Sequence, residues 1–292
     1  MTVRVIIDTD PGIDDAIAIL HALRHPGLDV AAITTVGGNI GLSVTTRNAG
    51  RIAALAGVAV PVHAGAERPL RRPSRFETTI HGEDGLGGVP FPEPATAPSE
   101  ESTTDAMRAL IGDGVTTLLC LGPLTNVARL VTDAPEAAGR LETVIAMGGA
   151  VDAPGNVGPH AEFNIAHDPD AAGIVLAAGL PLTLIPLDAT RQLRADRAYI
   201  DRLGAAGTPE ARAAAELIAA YFTATDGAES RPLHDPCVPL MALHPEAFRC
   251  EVRSLAVDLE TGALTPGPHP VRVAMGLHAP RLLNLLLEAL GG

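Results

Sequence analysis

Val3-Arg4-Val5-Ile6-Ile7-Asp8-Thr9-Asp10-Pro11-Gly12-Ile13-Asp14-Asp15-Ala16-Ile17-Ala18-Ile19-Leu20 is the stretch on which the fold turns. Residues 3–7 are rich in β-branched side chains, as a strand in a sheet covered on both faces requires. Beyond Ala16 the apolar positions Ile17, Ile19, Leu20 and Leu23 suit a helix packed on a sheet. Pro11-Gly12 supplies a turn between them. The order is strand, acidic loop, helix. It puts the loop at the carboxyl end of a strand, where open α/β sheets hold their ligands.

Asp8, Asp10, Asp14 and Asp15 fall within eight residues. At an effective dielectric of about 20, two like charges roughly 4 Å apart repel by about 4 kcal/mol. Without compensation, one or more of these groups stays protonated. A hard divalent cation, which prefers oxygen ligands, removes the conflict. The alternative is that Asp14 and Asp15 only cap the helix and complement its dipole.

Bulk properties narrow the classes. The 292 residues are 47% hydrophobic and 19% charged, an ordinary globular composition with no linker or compositional break, so one domain over 1–292 is expected. A net charge of −13 argues against nucleic-acid backbones and anionic membranes as partners. The three cysteines form no CxxC pair or disulfide framework, and residues 3–7 enter a strand with no leader-like segment before them. A cytoplasmic protein is expected. All 21 basic residues are Arg, which excludes chemistry built on lysine, such as a Walker A loop or a Schiff base.

Further strands are expected at 30–36, 60–64, 115–121, 143–147 and 182–187, alternating with helices at 43–55, 103–111, 125–131 and from Asp168-Pro169 onward. Residues 66–98, rich in Arg and Pro and carrying His81 among glycines, read as a lid over the site or a surface insertion. Residues 195–225 read as mostly helical, and His234-Asp235-Pro236-Cys237 opens another helix. Residues 248–259 and 271–275 read as two strands around a turn at Thr261-Gly262, before a final helix at 280–290. The whole predicts an α/β, Rossmann-like domain: a mainly parallel sheet, helices on both faces, and a C-terminal antiparallel pair.

Four motifs occur in order: Asp8-Thr9-Asp10-Pro11-Gly12-Ile13-Asp14-Asp15-Ala16, Gly37-Gly38-Asn39, Ala161-Glu162-Phe163-Asn164-Ile165 and His234-Asp235-Pro236-Cys237. With them the chain resembles, over essentially its whole length, the inosine-uridine preferring nucleoside hydrolases. The resemblance implies Ca²⁺ held by Asp10, Asp15, Asp235 and the main-chain carbonyl of Leu121. It implies hydrolysis of a ribonucleoside to ribose and free base through an oxocarbenium-like transition state. Asp10 would be the general base, with Asn39 orienting the attacking water. Asp14 would bind the ribose 2′-hydroxyl, Asn164 the 3′-hydroxyl, and Asn156 with Glu162 the 5′-hydroxyl. His234 matches the acid proposed for the leaving base, His81 another pocket histidine, and Met147 and Phe163 line the pocket or belong to the core. A homo-oligomer, dimer or tetramer, is implied as well.

On the base side the pattern departs from the family. Tyr221 and Phe222 are aromatic, but Asp226-Gly227-Ala228-Glu229 follows, and the chain has no Trp to sandwich a purine. An inosine-uridine or pyrimidine-preferring type is therefore expected. Two rivals remain: a phosphatase with an aspartyl nucleophile, disfavoured by the missing lysine, and a non-catalytic nucleoside- or ribose-binding protein on the same fold.

Overall fold

The computed structural model describes residues 2–224 and 230–292. Among the described residues there are eleven strands: β1 Val3–Thr9, β2 Leu28–Thr35, β3 Val62–Ala64, β4 Thr117–Cys120, β5 Thr143–Met147, β6 Leu182–Ile185, β7 Arg194–Asp196, β8 Ser230–Pro232, β9 Phe248–Val257, β10 Leu264–Pro266 and β11 His269–Leu277. Nine of them form one sheet in the order β10-β9-β11-β6-β5-β4-β1-β2-β3, parallel from β3 through β11, with β9 antiparallel to both β11 and β10. β7 and β8 pair separately.

Period-2 alternation sends neighbouring strand residues into two cores, one on each face of the sheet. Val5, Ile7, Leu119, Ile145 and Met147 join one apolar cluster, while Ile6, Leu118, Cys120, Val144 and Ala146 join the other. Both faces are dry, which explains why these strands read as continuous apolar runs.

Strand order reverses at β1: β2 and β3 lie to one side, β4, β5 and β6 to the other. The crevice between the carboxyl ends of β1 and β4 is thus the topological switch point. Asp8 is in register with Thr34 and Cys120, and Cys120 with Ala146. The four loops that leave these strands therefore open at one level.

Several expected elements differ in detail. Pro186 ends β6 at Ile185, and Leu187 begins a one-turn helix, Leu187–Thr190. Ala195 is a strand residue in β7; the helix after it starts at Arg197, where the Asp196 side chain accepts from Tyr199 N–H. The turn at Gly262 (φ 78°) leads from β9 into the short β10 on the outer side of β9, and only then into β11 on its inner side. Among the described residues, no helix is long and apolar enough to cross a membrane.

Candidate active site

Asp8, at the end of β1, is fully buried and accepts from Thr34 Oγ1 at 2.6 Å and Asn126 Nδ2 at 2.8 Å. Burial pushes its carboxyl up to about 6 against those two hydrogen bonds. Asn126 also donates to Thr35 O at 3.0 Å and accepts from Ala66 N–H at 2.8 Å. One amide thus ties β1, β2 and the start of the long loop together. Asn126→Ala leaves the Ala66 N–H unpaired and takes one of two donors from Asp8 Oδ1 and from Thr35 O, and is expected to destabilise the fold by about 2–3 kcal/mol. Urea unfolding measures this; a loss below about 1 kcal/mol would mean that water replaces the amide.

Two residues further, Asp10 reaches into the switch point. Its Oδ2 accepts from Asn39 N–H at 2.7 Å, while Oδ1 is buried with no hydrogen-bond partner. Two glycines make the room: a Cβ on Gly38 would lie 2.1 Å from Oδ2, and one on Gly122 2.2 Å from Oδ1. A Cβ at either place would have to push the Asp10 carboxylate aside. Burial, and then the charge of Asp15, hold the Asp10 carboxyl well above its usual range.

Asp15 caps the helix as expected of the loop, and its other oxygen contacts hold it beside the acidic cluster. It caps the helix Ile13–Arg24 by accepting from Gly12 N–H at 3.0 Å. It also accepts from Thr9 Oγ1 at 2.6 Å, Asn39 Nδ2 at 3.1 Å and Asp10 N–H at 3.3 Å. These donors fix its oxygens beside those of Asp14 and Asp235, and one oxygen from each of the three lies within 4.8 Å of the others. Burial first, then Asp15, push Asp14 up to about 7; burial, then Asp14, Asp15 and Asp10, hold Asp235 well above the carboxylate range. Asp10 stands outside that triad of oxygens, yet its charge still acts on Asp235. Four buried carboxyl groups with one orphaned oxygen form a donor set that fits a cation.

Across the crevice, the Leu121 carbonyl accepts from Asn164 Nδ2 at 2.7 Å, and Met147 O accepts from the same amide at 3.2 Å. Glu162 caps the helix Phe163–His167, accepting from Asn164 N–H at 3.0 Å and Ile165 N–H at 3.3 Å, and its Oε2 also takes Gly149 N–H at 2.9 Å. Asn156 accepts from Phe163 N–H at 2.9 Å.

The two histidines close the outer side. His81 sits on the one-turn helix Thr78–His81 inside the long loop, and its Nδ1 accepts from Ile13 N–H at 3.0 Å. That loop is fastened over the site by Glu77 N–H on Asn39 O at 2.8 Å and Asn48 Nδ2 on Asp84 O at 2.8 Å. Burial lowers His81 to about 4, partly offset by Asp15. His234 Nδ1 lies 2.7 Å from Thr190 Oγ1. Burial lowers His234 to about 3, with Arg191, Arg194 and His81 adding to it.

A cavity of about 120 Å³ brings these groups together. Asp14, Asn39, His81, Leu121, Met147, Asn156, Glu162, Phe163, Asn164, His234 and Asp235 line it, while Asp10 and Asp15 are not among the lining residues. Glu77, Ile80 and Val157 line it too without any signal in the sequence; Tyr221, which does so as well, is one of the two aromatics noted before the His-Asp-Pro motif. The loop at 226–229 lies outside the described residues. A larger groove, about 870 Å³, runs beside the helix Leu42–Leu55 past Arg47, Arg68 and Phe76. It holds none of the carboxyl cluster or the two histidines, so chemistry rather than volume selects the smaller cavity.

The family described as inosine-uridine preferring nucleoside hydrolase matches residues 5–284. The pyrimidine-specific ribonucleoside hydrolase RihA of Shewanella sp. (strain MR-7) is 36% identical over 310 residues, covering 99% of this chain and 96% of that protein. The RihA of Salmonella typhimurium is 38% identical over 274 residues, covering 91% and 88%. Among solved structures, the plant nucleoside hydrolase PpNRh1 superposes with a TM-score of 0.94 at 31% identity, covering 100% of each chain. A purine-preferring ribonucleoside hydrolase from Gardnerella vaginalis gives 0.93 at 29%, covering 99% and 98%. Fold and sequence coincide: the chain belongs to the inosine-uridine preferring nucleoside hydrolase family.

Proposed function

We propose that residues 1–292 act as one catalytic domain that uses Ca²⁺ to hydrolyse the N-glycosidic bond of ribonucleosides, with pyrimidine nucleosides preferred. By its family the chain is a hydrolase acting on N-glycosyl bonds. One observation carries the reading: Asp10, with an unpartnered buried oxygen, stands at the switch point beside the carboxyl groups of Asp14, Asp15 and Asp235.

Asp10, Asp15, Asp235 and the Leu121 carbonyl would hold the cation, and the all-oxygen donor set favours a hard ion with many ligands, Ca²⁺ over Mg²⁺. When bound, the ion supplies positive charge that neutralises the carboxylates and acidifies a water. Asp10 takes the proton of the attacking water. Asn39, already bonded to Asp10 and Asp15, orients that water. Asp14 and Asn164 grip the 2′- and 3′-hydroxyls, and Asn156 with Glu162 the 5′-hydroxyl. These contacts on the sugar stabilise the positive charge that develops at the anomeric carbon. His234 and His81 face the base, with Met147 and Phe163 supplying apolar wall.

The pyrimidine preference is supported by the names of the RihA relatives and by the absence of Trp; the purine-preferring structural neighbour argues the other way. Free cysteines at 120, 237 and 250 suit a reducing, cytoplasmic setting. A dimer or tetramer is expected by light scattering. The functional test is ribose release from uridine, cytidine and inosine. Uridine or cytidine should give the highest kcat/KM. Ribose binding without release from any nucleoside would favour the non-catalytic binding protein instead.

A further inference from the structure

The one-turn helix Leu187–Thr190 and the following Arg191 contribute no wall to the cavity, yet they hold two of its parts. Asp188 accepts from the N–H groups of Val151, Asp152 and Ala153 at 2.9, 2.8 and 2.9 Å. Arg191 donates to the carbonyls of Pro154 and Gly155 at 2.5 and 2.9 Å, directly before Asn156. Thr190 reaches the other way, to His234 Nδ1 at 2.7 Å.

The direction of that last bond can be settled from the hydroxyl. Thr190 is fully buried, and its side chain has His234 Nδ1 as its one partner among the described residues. A hydroxyl carries one proton, and a buried proton with no acceptor costs about 1–3 kcal/mol. If His234 donated from Nδ1, the Thr190 proton would have no acceptor. Thr190 therefore donates, Nδ1 accepts, and the ring proton stands on Nε2, at the opposite edge of the imidazole from Thr190.

We propose that Thr190 is a positioning residue that fixes His234 in the Nε2–H tautomer, so that the neutral ring points an N–H donor at the departing base. The inference rests on the nucleoside hydrolase reading. As the bond from the anomeric carbon to the base nitrogen breaks, its electron pair passes to the base, and the Nε2–H hydrogen bond stabilises the negative charge that collects there. The water oxygen bonds to the anomeric carbon, and the proton the water loses equals the one the base finally gains.

Thr190→Val keeps the shape and removes the donor. Its kcat on uridine should fall roughly five- to tenfold with KM little changed, the factor expected of one hydrogen bond. On p-nitrophenyl β-D-ribofuranoside, whose leaving group carries its own negative charge well, kcat should stay within about twofold of wild type. Thr190→Ser should restore uridine turnover. Equal losses on both substrates, or no loss on either, would overturn the proposal. Should Thr190→Val fail to fold, ¹⁵N NMR of the histidine-labelled wild-type protein decides, with the signal assigned through His234→Gln. A protonated Nε2 supports the tautomer, and a protonated Nδ1 overturns it. Wild-type protein that releases ribose from no nucleoside would sink the hydrolase reading instead, and the NMR result would still stand.

Discussion

Asp10→Asn is expected to lower kcat by about three orders of magnitude or more, the scale of a lost general base, while the melting temperature of the metal-free protein holds or rises. The substitution keeps size and shape. An amide oxygen can still accept the Asn39 N–H that Oδ2 now takes at 2.7 Å. What it removes is the charge. In the folded protein that charge is buried, has one oxygen without a partner, and is repelled by Asp15 and Asp14. Removing it relieves desolvation and repulsion together, so activity and stability should move in opposite directions. Gly122→Ala offers a second route to the same group, because its new Cβ would meet Asp10 Oδ1 at 2.2 Å and must push the carboxylate aside. Steady-state kinetics on uridine and thermal melts in chelator check both. Residual Asp10→Asn activity near a tenth of wild type would take the base role away from Asp10.

The fold was legible where a strand is covered on both faces, and less so elsewhere. β1, β4 and β5 are apolar runs because each sends alternate residues into two dry cores. β10 and β7 have three residues each, too few to show a period, and β7 is hidden at the head of an alanine-rich helical stretch. The site was legible where its residues are contiguous: the acidic loop, Gly37-Gly38-Asn39 and His234-Asp235-Pro236. Glycine pairs hinted at close approach, but only the sheet shows that Gly38 and Gly122, from the loops after β2 and β4, clamp one carboxylate. Thr190 gave no signal at all, since its partner lies 44 residues away and an isolated threonine in an apolar stretch looks like packing. Glu77 and Ile80 were equally hidden in the long loop. Their meaning comes from what the fold sets opposite them.

Removing the proposed cation should lower the melting temperature by at least about 5 °C, as expected for a ligand present well above its dissociation constant, and the gap should widen as pH rises above about 6.5. The sign follows from the carboxyl groups. Asp14 is raised to about 7, and Asp10 and Asp235 well above their usual value. A group whose folded pKa is raised binds its proton more tightly in the folded state. Its contribution to stability is present at low pH and is lost as pH rises through the folded pKa. The metal-free protein should therefore weaken steadily across this window as its acids ionise against one another. With a cation bound, Asp10 and Asp235 would be its ligands and Asp14 would lie beside it, so proton and metal would compete for these groups. Rising pH then tightens binding and holds the loaded protein steady. Below about 6.5 the trend is opposed by His21, His81 and His234, which the fold keeps neutral at about 3, 4 and 3 while the unfolded chain protonates them. The clean window is therefore the alkaline one. Melts in chelator and in excess Ca²⁺ at pH 6.5, 7.5 and 8.5 measure the gap. A gap that is flat or closes with pH would mean that Asp10, Asp15 and Asp235 do not hold the cation.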